Sequence, residues 1–246
     1  MTIEMLILLC AGLLIISFLY SAVGHAGASG YISIMGLIGL TSAFIRPVAL
    51  ILNILVAGIT SWQFYLAGHF QWRTFWPYAV PAIPLAFLGG FLNIPAHFFD
   101  ILLGIVLMFS AILLLLHIAA SEDPHQPPRG ISFGVGAGLG FIAGITGTGG
   151  GIFLTPILIL CKWAKTKTAS ATSALFILVN SISGLFGVIS RTNDFPPIRI
   201  LIPLLLMVLI GGTAGSYLGS RKFPKSIVKI LLACVLIIAS IKHLIV

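Results

Sequence analysis

Two glycine-rich segments are the places in this chain where the backbone itself could bind a ligand. The first covers residues 24–30 (Gly-His-Ala-Gly-Ala-Ser-Gly), and the second covers residues 144–151 (Gly-Ile-Thr-Gly-Thr-Gly-Gly-Gly). Each lies between two strongly apolar stretches, at the same place in its half of the chain. Glycine lets a ligand approach the backbone closely, and a helix that begins there presents unpaired N–H groups and a partial positive charge. The two segments therefore predict an anion-binding cradle.

Small polar side chains accompany the predicted cradle. Ser29, Thr146 and Thr148 supply hydroxyl groups that can donate to an oxyanion. His25 could donate to the anion, carry a coupling proton or merely cap the break. The glycines also have a purely structural explanation, because small residues let membrane helices pack closely. The predicted backbone contacts are Gly27, Ala28, Gly30, Gly147, Gly149, Gly150 and Gly151.

Two asparagines occupy equivalent points in the third predicted helix of each half. Asn53 and Asn180 would each place an amide group in hydrocarbon, which is costly unless the amide is hydrogen-bonded. Each is predicted either to contact the ligand or to satisfy the broken backbone beside it. Ser173 precedes Asn180 by seven residues, a spacing that returns to one helix face. Ser173 and Asn180 are therefore predicted to face the same cavity.

The composition predicts an integral membrane protein, because 59% of the 246 residues are hydrophobic and only 7% are charged. The first segment contains Glu4 and has no basic region before it, which predicts a retained span rather than a cleaved signal. The three cysteines are isolated, so no metal site, disulfide or cofactor is predicted. The apolar runs predict ten helical segments, at about 3–22, 28–42, 47–68, 74–92, 98–118, 130–147, 150–161, 169–189, 198–218 and 225–245.

Matching residues in the two halves predict an internal duplication. Residues 28–30 align with 149–151, and residues 52–54 align with 179–181. The predicted fold is an all-α membrane protein with two inverted repeats of about five helical segments each. In each repeat, a short broken helix follows the glycine-rich break, and the ligand would lie between the two half-helices. The predicted boundaries are residues 1–119 for the first repeat, 120–129 for the connecting loop and 130–246 for the second repeat.

The net charge of +8 comes from basic residues assigned to the loops, as expected for a membrane protein with a positive cytoplasmic face. Nucleic acid is therefore not an expected partner. Arg46 is assigned to a loop, and His243 to the membrane interface or solvent. No carboxylate falls in the middle of a predicted span, so any proton coupling would have to use His25 or the substrate.

The second break, followed by Thr155-Pro156, resembles the glycine-rich motif of the sulfite exporter TauE/SafE family. Residues 171–184 resemble the next helix of that family, and the first break resembles the motif less closely, because His25 and Ser29 depart from the plain glycine form. The resemblance implies a multi-pass permease of the bacterial-type inner (plasma) membrane. It implies substrates such as sulfite, sulfonates or other small organic acids.

The predicted function is a secondary transporter of a small sulfur-containing anion, and not an enzyme. Its expected partners are the anion and the lipid bilayer, and small-residue helix faces would also allow a homodimer. Two alternatives remain open. One is a passive anion channel. The other is an intramembrane serine protease, in which residues 27–30 supply a G-x-S-G motif and a buried histidine acts as the base.

Overall fold

The computed structural model describes residues 3–22, 25–92, 94–115, 124–191 and 196–219, together with 233, 234, 236–238, 240, 241 and 243–245. Helices account for nearly all of these ranges, and the last described residues belong to a C-terminal helix, Leu236–Ile245. The helices before it are α1 (Ile3–Ala22), α2 (Ala28–Leu37), α3 (Ser42–Leu66), α4 (Trp72–Phe91), α5 (Ala96–Leu115), α6 (Arg129–Thr146), α7 (Gly151–Leu160), α8 (Thr166–Arg191) and α9 (Ile198–Gly219).

Six described helices are long and apolar enough to cross a membrane: α1, α3, α4, α6, α8 and α9. The chain is therefore a multi-pass integral membrane protein. Helices α2 and α7 have ten residues each, which gives them a length of about 15 Å. Because a hydrocarbon core is about 30 Å thick, each could cross only half of it. The predicted all-α fold, with a short second helix in each half, is confirmed.

Helix α3 begins five residues earlier than the sequence predicted. It starts at Ser42 and continues through Pro47, rather than starting at that proline. The helix tolerates the loss of the one backbone hydrogen bond that a proline cannot donate. The assignment of Arg46 to a loop is consequently wrong: Arg46 lies on α3 and is only 7% exposed.

Glycines join helices from different halves of the chain. Along α6, Gly136, Gly140 and Gly144 face the backbone of α4. A Cβ atom at any of these positions would collide with an α4 carbonyl oxygen. Along α9, Gly211 and Gly215 meet the backbone of α1 in the same way. These contacts let the paired helices approach to backbone distance.

The two halves are therefore interlocked. The first helix of each half packs on the fourth helix of the other half, as α1 on α9 and α6 on α4. This exchange of partners is expected for a duplicated chain, while the inverted orientation of the repeats and their boundaries remain predictions. A second pair of contacts between the halves, α4 with α8 and α3 with α9, is unequal. Helix α4 meets the backbone of α8 through Gly90 and Gly187, whereas Val56 of α3 reaches Gly212 of α9 through its side chain, which would lie 3.4 Å from an added Cβ.

Two arginines and a tryptophan come together at one end of the bundle. Arg73, Arg129 and Trp163 line a common cavity of about 290 Å³. The Arg129 guanidinium lies 5.8 Å from the ring centre of Trp76. The N-termini of α4 and α6 thus lie at the same end of the molecule.

Candidate anion-binding site

The second glycine-rich break is a short stretch of left-handed backbone between α6 and α7. Helix α6 ends at Thr146, and Gly147, Gly149 and Gly150 follow with φ values of 79°, 73° and 76°. Residues that carry a side chain rarely adopt this left-handed backbone conformation, which explains why glycine occupies these positions. Gly144 lies within α6 and packs on α4, so it belongs to a helix contact rather than to the break.

Asn53 reaches this break from the other half of the chain. Its Nδ2 lies 3.5 Å from the Gly147 carbonyl oxygen and 3.4 Å from Ser181 Oγ. Both distances are at the long end for hydrogen bonds. The Asn53 side chain is completely buried, and its Oδ1 has no hydrogen-bond partner. The asparagine thus borders the broken backbone, as predicted, and retains an unused acceptor.

One face of α8 packs against the break. An added Cβ atom on Gly149 would lie 2.7 Å from Ile177 Cγ2 and 3.0 Å from Ser181 Oγ. Ser173 and Asn180 are spaced to flank Ile177 on this face. Ser173 Oγ and both amide atoms of Asn180 are buried without a hydrogen-bond partner. Because buried polar groups are nearly always paired in proteins, these atoms mark a position where a ligand could supply the missing partners.

The two threonines of the break bond to each other. Thr146 Oγ1 donates to the Ile142 carbonyl (2.7 Å), so the Thr148 hydroxyl, 2.9 Å away, must donate to Thr146. The backbone N–H of Thr148 also points to Thr146 Oγ1, at 3.4 Å. In this arrangement both hydroxyl protons are already used, so either threonine would have to rotate before it could donate to an anion.

The first break is tied to α1. Gly27 has a φ of 101° and lies against the Tyr31 ring. The Ser29 hydroxyl lies 2.7 Å from the Tyr20 hydroxyl. An added Cβ on Gly30 would also meet Tyr20. Ala28 starts α2 and is buried. The side-chain hydrogen bond of Ser29 therefore leads to α1, and not to Asn53 or the second break.

His25 is half-buried between α1 and α2, and its backbone N–H donates to the Tyr20 carbonyl at 3.0 Å. Gly24, which opens the first motif, lies outside the described residues. The structure thus brings Asn53 and Ser181 to the second break, and the spacing of Ser173 and Asn180 places both within one turn of Ile177 on α8. The contacts described for the first break form a separate group beside Tyr20.

Arg46 is a neighbour of the second break that the sequence did not reveal. Its Nε and Nη2 donate to the Gly144 carbonyl at 3.0 and 2.8 Å, and its Nη1 donates to the Leu92 carbonyl at 3.2 Å. Nη2 also contacts the Gly89 carbonyl. An added Cβ on Gly147 would lie 3.2 Å from the Arg46 carbonyl oxygen. The guanidinium therefore binds the C-terminal ends of α4 and α6, where a cation is favourable.

The family model of the sulfite exporter TauE/SafE matches residues 8–243. The chain belongs to the TauE/SafE family. It is also 35% identical to the probable membrane transporter protein y4hK of Sinorhizobium fredii (strain NBRC 101917 / NGR234), over 235 residues and 94% of each chain. No solved structure matches the chain significantly. As a TauE/SafE protein with six apolar helices of spanning length among its described residues, the chain is a membrane transporter.

Proposed function

We propose that this TauE/SafE protein is a secondary transporter of a small sulfur-containing anion, such as sulfite or a sulfonate. The anion would bind at the second glycine-rich break, between the start of α7 and the face of α8 that carries Asn180. Asn53 would border the site from the first half. The start of α2 at the first break would complete the site when the transporter changes conformation.

The observation that carries this proposal is the buried, unpaired amide of Asn180, on the helix whose Ile177 and Ser181 pack against Gly149 of the break. Leaving a buried donor or acceptor unpaired costs about 1–3 kcal/mol. Irregular backbone at membrane depth persists where protein buries it or where it lines a cavity. A bound oxyanion would satisfy both features, because it accepts from the amide and from the first N–H groups of α7.

The chemistry of this site favours a carrier with uncharged donors. Backbone N–H groups, amides and hydroxyls bind an anion without a permanent counter-charge, so the site can release it again. The geometry disfavours the serine protease alternative, because the Ser29 hydroxyl is hydrogen-bonded to Tyr20 and not to a histidine that could act as the base. The channel alternative differs from a carrier in kinetics, and saturable exchange of labelled for unlabelled anion would distinguish the two.

The first experiment is anion binding to the purified protein, measured by thermal shift and then by calorimetry. The anions would be sulfite, thiosulfate, sulfate, sulfoacetate, taurine and acetate. We expect sulfite or a sulfonate to stabilise the protein selectively. Asn180→Leu should lower that affinity at least about tenfold, which is the loss of about 1.4 kcal/mol of binding free energy.

The matched control is Ser190→Ala, ten residues further along α8. Ser190 is exposed, and its hydroxyl donates to the Phe186 carbonyl of its own helix. We expect this variant to bind the anion as the wild type does. Unchanged affinity in a folded Asn180→Leu protein would remove Asn180 from the site, and no stabilisation by any of the anions would contradict the proposed cradle.

A further inference from the structure

A histidine and a carboxylate meet inside the bundle, away from the glycine-rich breaks. His243 Nδ1 of the C-terminal helix lies 3.1 Å from Asp100 Oδ1 of α5. The His243 side chain is 9% exposed and that of Asp100 is 34% exposed. His243 is therefore buried in protein and not solvated, while its position relative to the membrane interface stays a prediction. Asp100 is the partly exposed member of the pair, and His243 is the buried one.

Packing fixes the imidazole in this position. Ser240 Oγ, one turn earlier, donates to the Gly104 carbonyl of α5 at 2.7 Å. The side chain of Leu244 covers Gly104, where an added Cβ would lie 2.7 Å from Leu244 Cγ. Because residues on both sides of His243 are docked on α5, the pairing with Asp100 is part of a helix–helix interface. It is not a contact between two mobile surface side chains.

The other ring nitrogen faces the short helix α2. His243 Nε2 is buried, has no hydrogen-bond partner, and lies directly against Gly36, where any Cβ atom would collide with it. Gly36 is the penultimate residue of α2, so the imidazole lies beside the C-terminal end of that helix. This end carries a partial negative charge.

The charge on this cluster depends on one proton. With a neutral imidazole that donates from Nδ1 to an ionised Asp100, the pair carries a net charge of −1, and a bare Nε2 lone pair faces the negative end of α2. A proton on Nε2 makes the pair neutral and turns that nitrogen into a donor toward α2. The last turn of α2, Ile34–Leu37, carries no titratable side chain. Exposed His97 precedes Asp100 by three residues on α5, and Lys242 precedes His243 in sequence.

We propose that Asp100 and His243 form a proton-binding site that couples proton movement to the anion transport proposed above. Ionisable residues inside membrane bundles commonly form such relays. Helix α2 connects the pair to the first break, which would complete the anion site during the transport cycle, because Ser29 lies seven residues, or about 10 Å, from Gly36 along one rigid helix. A proton gained or lost at Nε2 changes how α2 contacts the C-terminal helix, and α2 transmits that change to the break.

The coupling rests on the proposed transport function, so the test separates the two. Protein in liposomes is first assayed at equal pH on both sides, for exchange of labelled sulfite and of labelled sulfoacetate against unlabelled anion. Net uptake is then driven by a gradient of about one pH unit, applied in each direction. One coupled proton should give about tenfold accumulation of the transported anion for such a gradient in the wild type.

We expect His243→Gln and Asp100→Asn to keep the exchange at equal pH and to lose the gradient-driven accumulation. His97→Gln, on the same helix and exposed, should behave as the wild type. Retained exchange shows that a variant is folded, and the asparagine variant provides the test if the glutamine variant does not fold. Undiminished gradient-driven accumulation in both variants would overturn the proton site alone. Absence of exchange in the wild type would overturn the transport function and the coupling with it.

Discussion

Two asparagines at equivalent positions have different surroundings in the membrane interior. Asn53 donates weakly to the Gly147 carbonyl and to Ser181, whereas neither amide atom of Asn180 has a partner. Both side chains are completely buried. An unpaired buried amide reduces stability, so its presence is better explained by a ligand than by folding. Stability measurements can therefore separate the two roles.

We expect Asn180→Leu to unfold at the same temperature as the wild type or at a higher one, because it removes an amide that has no partner. Asn53→Leu should unfold at a lower temperature, by an amount that corresponds to about 1 kcal/mol for the two weak hydrogen bonds. Thermal unfolding in detergent without anion measures both changes. An equal loss of stability in the two variants would show that Asn180 has a structural role.

Arg46 stabilises the helix ends next to the second break. Its guanidinium donates to the Gly144, Leu92 and Gly89 carbonyls. Arg46→Met should lower the free energy of unfolding by about 3 kcal/mol or more, since several buried carbonyls lose a charged donor. Arg46→Lys should recover only part of this stability, because an ammonium group lacks the planar fork of the guanidinium.

The control for Arg46 is Arg199→Met, at the exposed start of α9. It should change unfolding by less than about 0.5 kcal/mol, as expected for a surface position. Chemical unfolding of the detergent-solubilised protein measures both variants. If the two arginine variants were equally stable, the carbonyl contacts of Arg46 would contribute nothing to the fold.

At the scale of the helices, the glycines fall into two classes. Gly147, Gly149 and Gly150 have left-handed backbone and form the break. The glycines of α6 at every fourth position have helical backbone and let α4 approach. Close helix packing, the structural explanation given for the glycine-rich segments, thus accounts for Gly144. The left-handed backbone accounts for the glycines of the break that follows.

Two glycines of α6 provide a matched test of helix packing. A Cβ atom on Gly140 would collide with the backbone of Ala82 in α4, whereas Gly138 has open space around it. We expect Gly140→Ala to destabilise the protein by about 1–3 kcal/mol through overpacking. Gly138→Ala should be neutral or slightly stabilising, because alanine favours the helix. Equal unfolding temperatures for the two variants would contradict the backbone contact between α4 and α6.

The helices were largely predictable from sequence, because runs of apolar residues and glycine-rich breaks are local signals. The predicted segment 130–147 matches α6 (Arg129–Thr146), and 150–161 matches α7 (Gly151–Leu160). The contacts of Arg46 were not predictable, because they join residues nearly a hundred positions apart. The pairing of His243 with Asp100 spans an even longer separation. The apolar residues on both sides of Arg46 were the one available signal that it lies on a buried helix.

At the scale of the whole molecule, the interlocked halves restrict how the protein can move. A rocking motion of one half against the other would break the backbone contacts of α1 with α9 and of α4 with α6. We therefore expect each of these pairs to move as a unit. These two contacts are alike in the two halves, whereas α4 meets α8 backbone to backbone and α3 meets α9 only through the Val56 side chain at Gly212. Because this second pair of contacts is unequal, we expect it to be the pair that changes when the repeats exchange conformations.

Cross-linking tests this division. In a protein with its three cysteines replaced, a cysteine pair at Ile83 and Ser183 would join α4 to α8, because the Ser183 hydroxyl donates to the Ile83 carbonyl at 2.6 Å. A pair at Trp76 and Phe133, whose rings lie 5.8 Å apart, would join α4 to α6 when a flexible bifunctional thiol reagent bridges it. We expect the first cross-link to abolish transport and the second to preserve it. Loss of transport with both, or with neither, would contradict the proposed moving units.

The unequal packing of α4 on α8 and of α3 on α9 also bears on the free-energy landscape of the transport cycle. Gly89 aligns with Gly215 in the fourth helices, at an offset of 126, and the third helices align at an offset of 127. Gly90 therefore corresponds to Ser216 and Gly184 to Ala57, which are also small. If the repeats exchange conformations, the molecule has two free-energy minima. In the second minimum, each repeat makes the helix contacts that the other repeat makes in the first. Their relative depths would then depend on sequence differences at such pairs of positions. Exchanging the residues at positions 90 and 216 should therefore alter which side of the membrane the resting protein faces, while leaving the binding site unchanged.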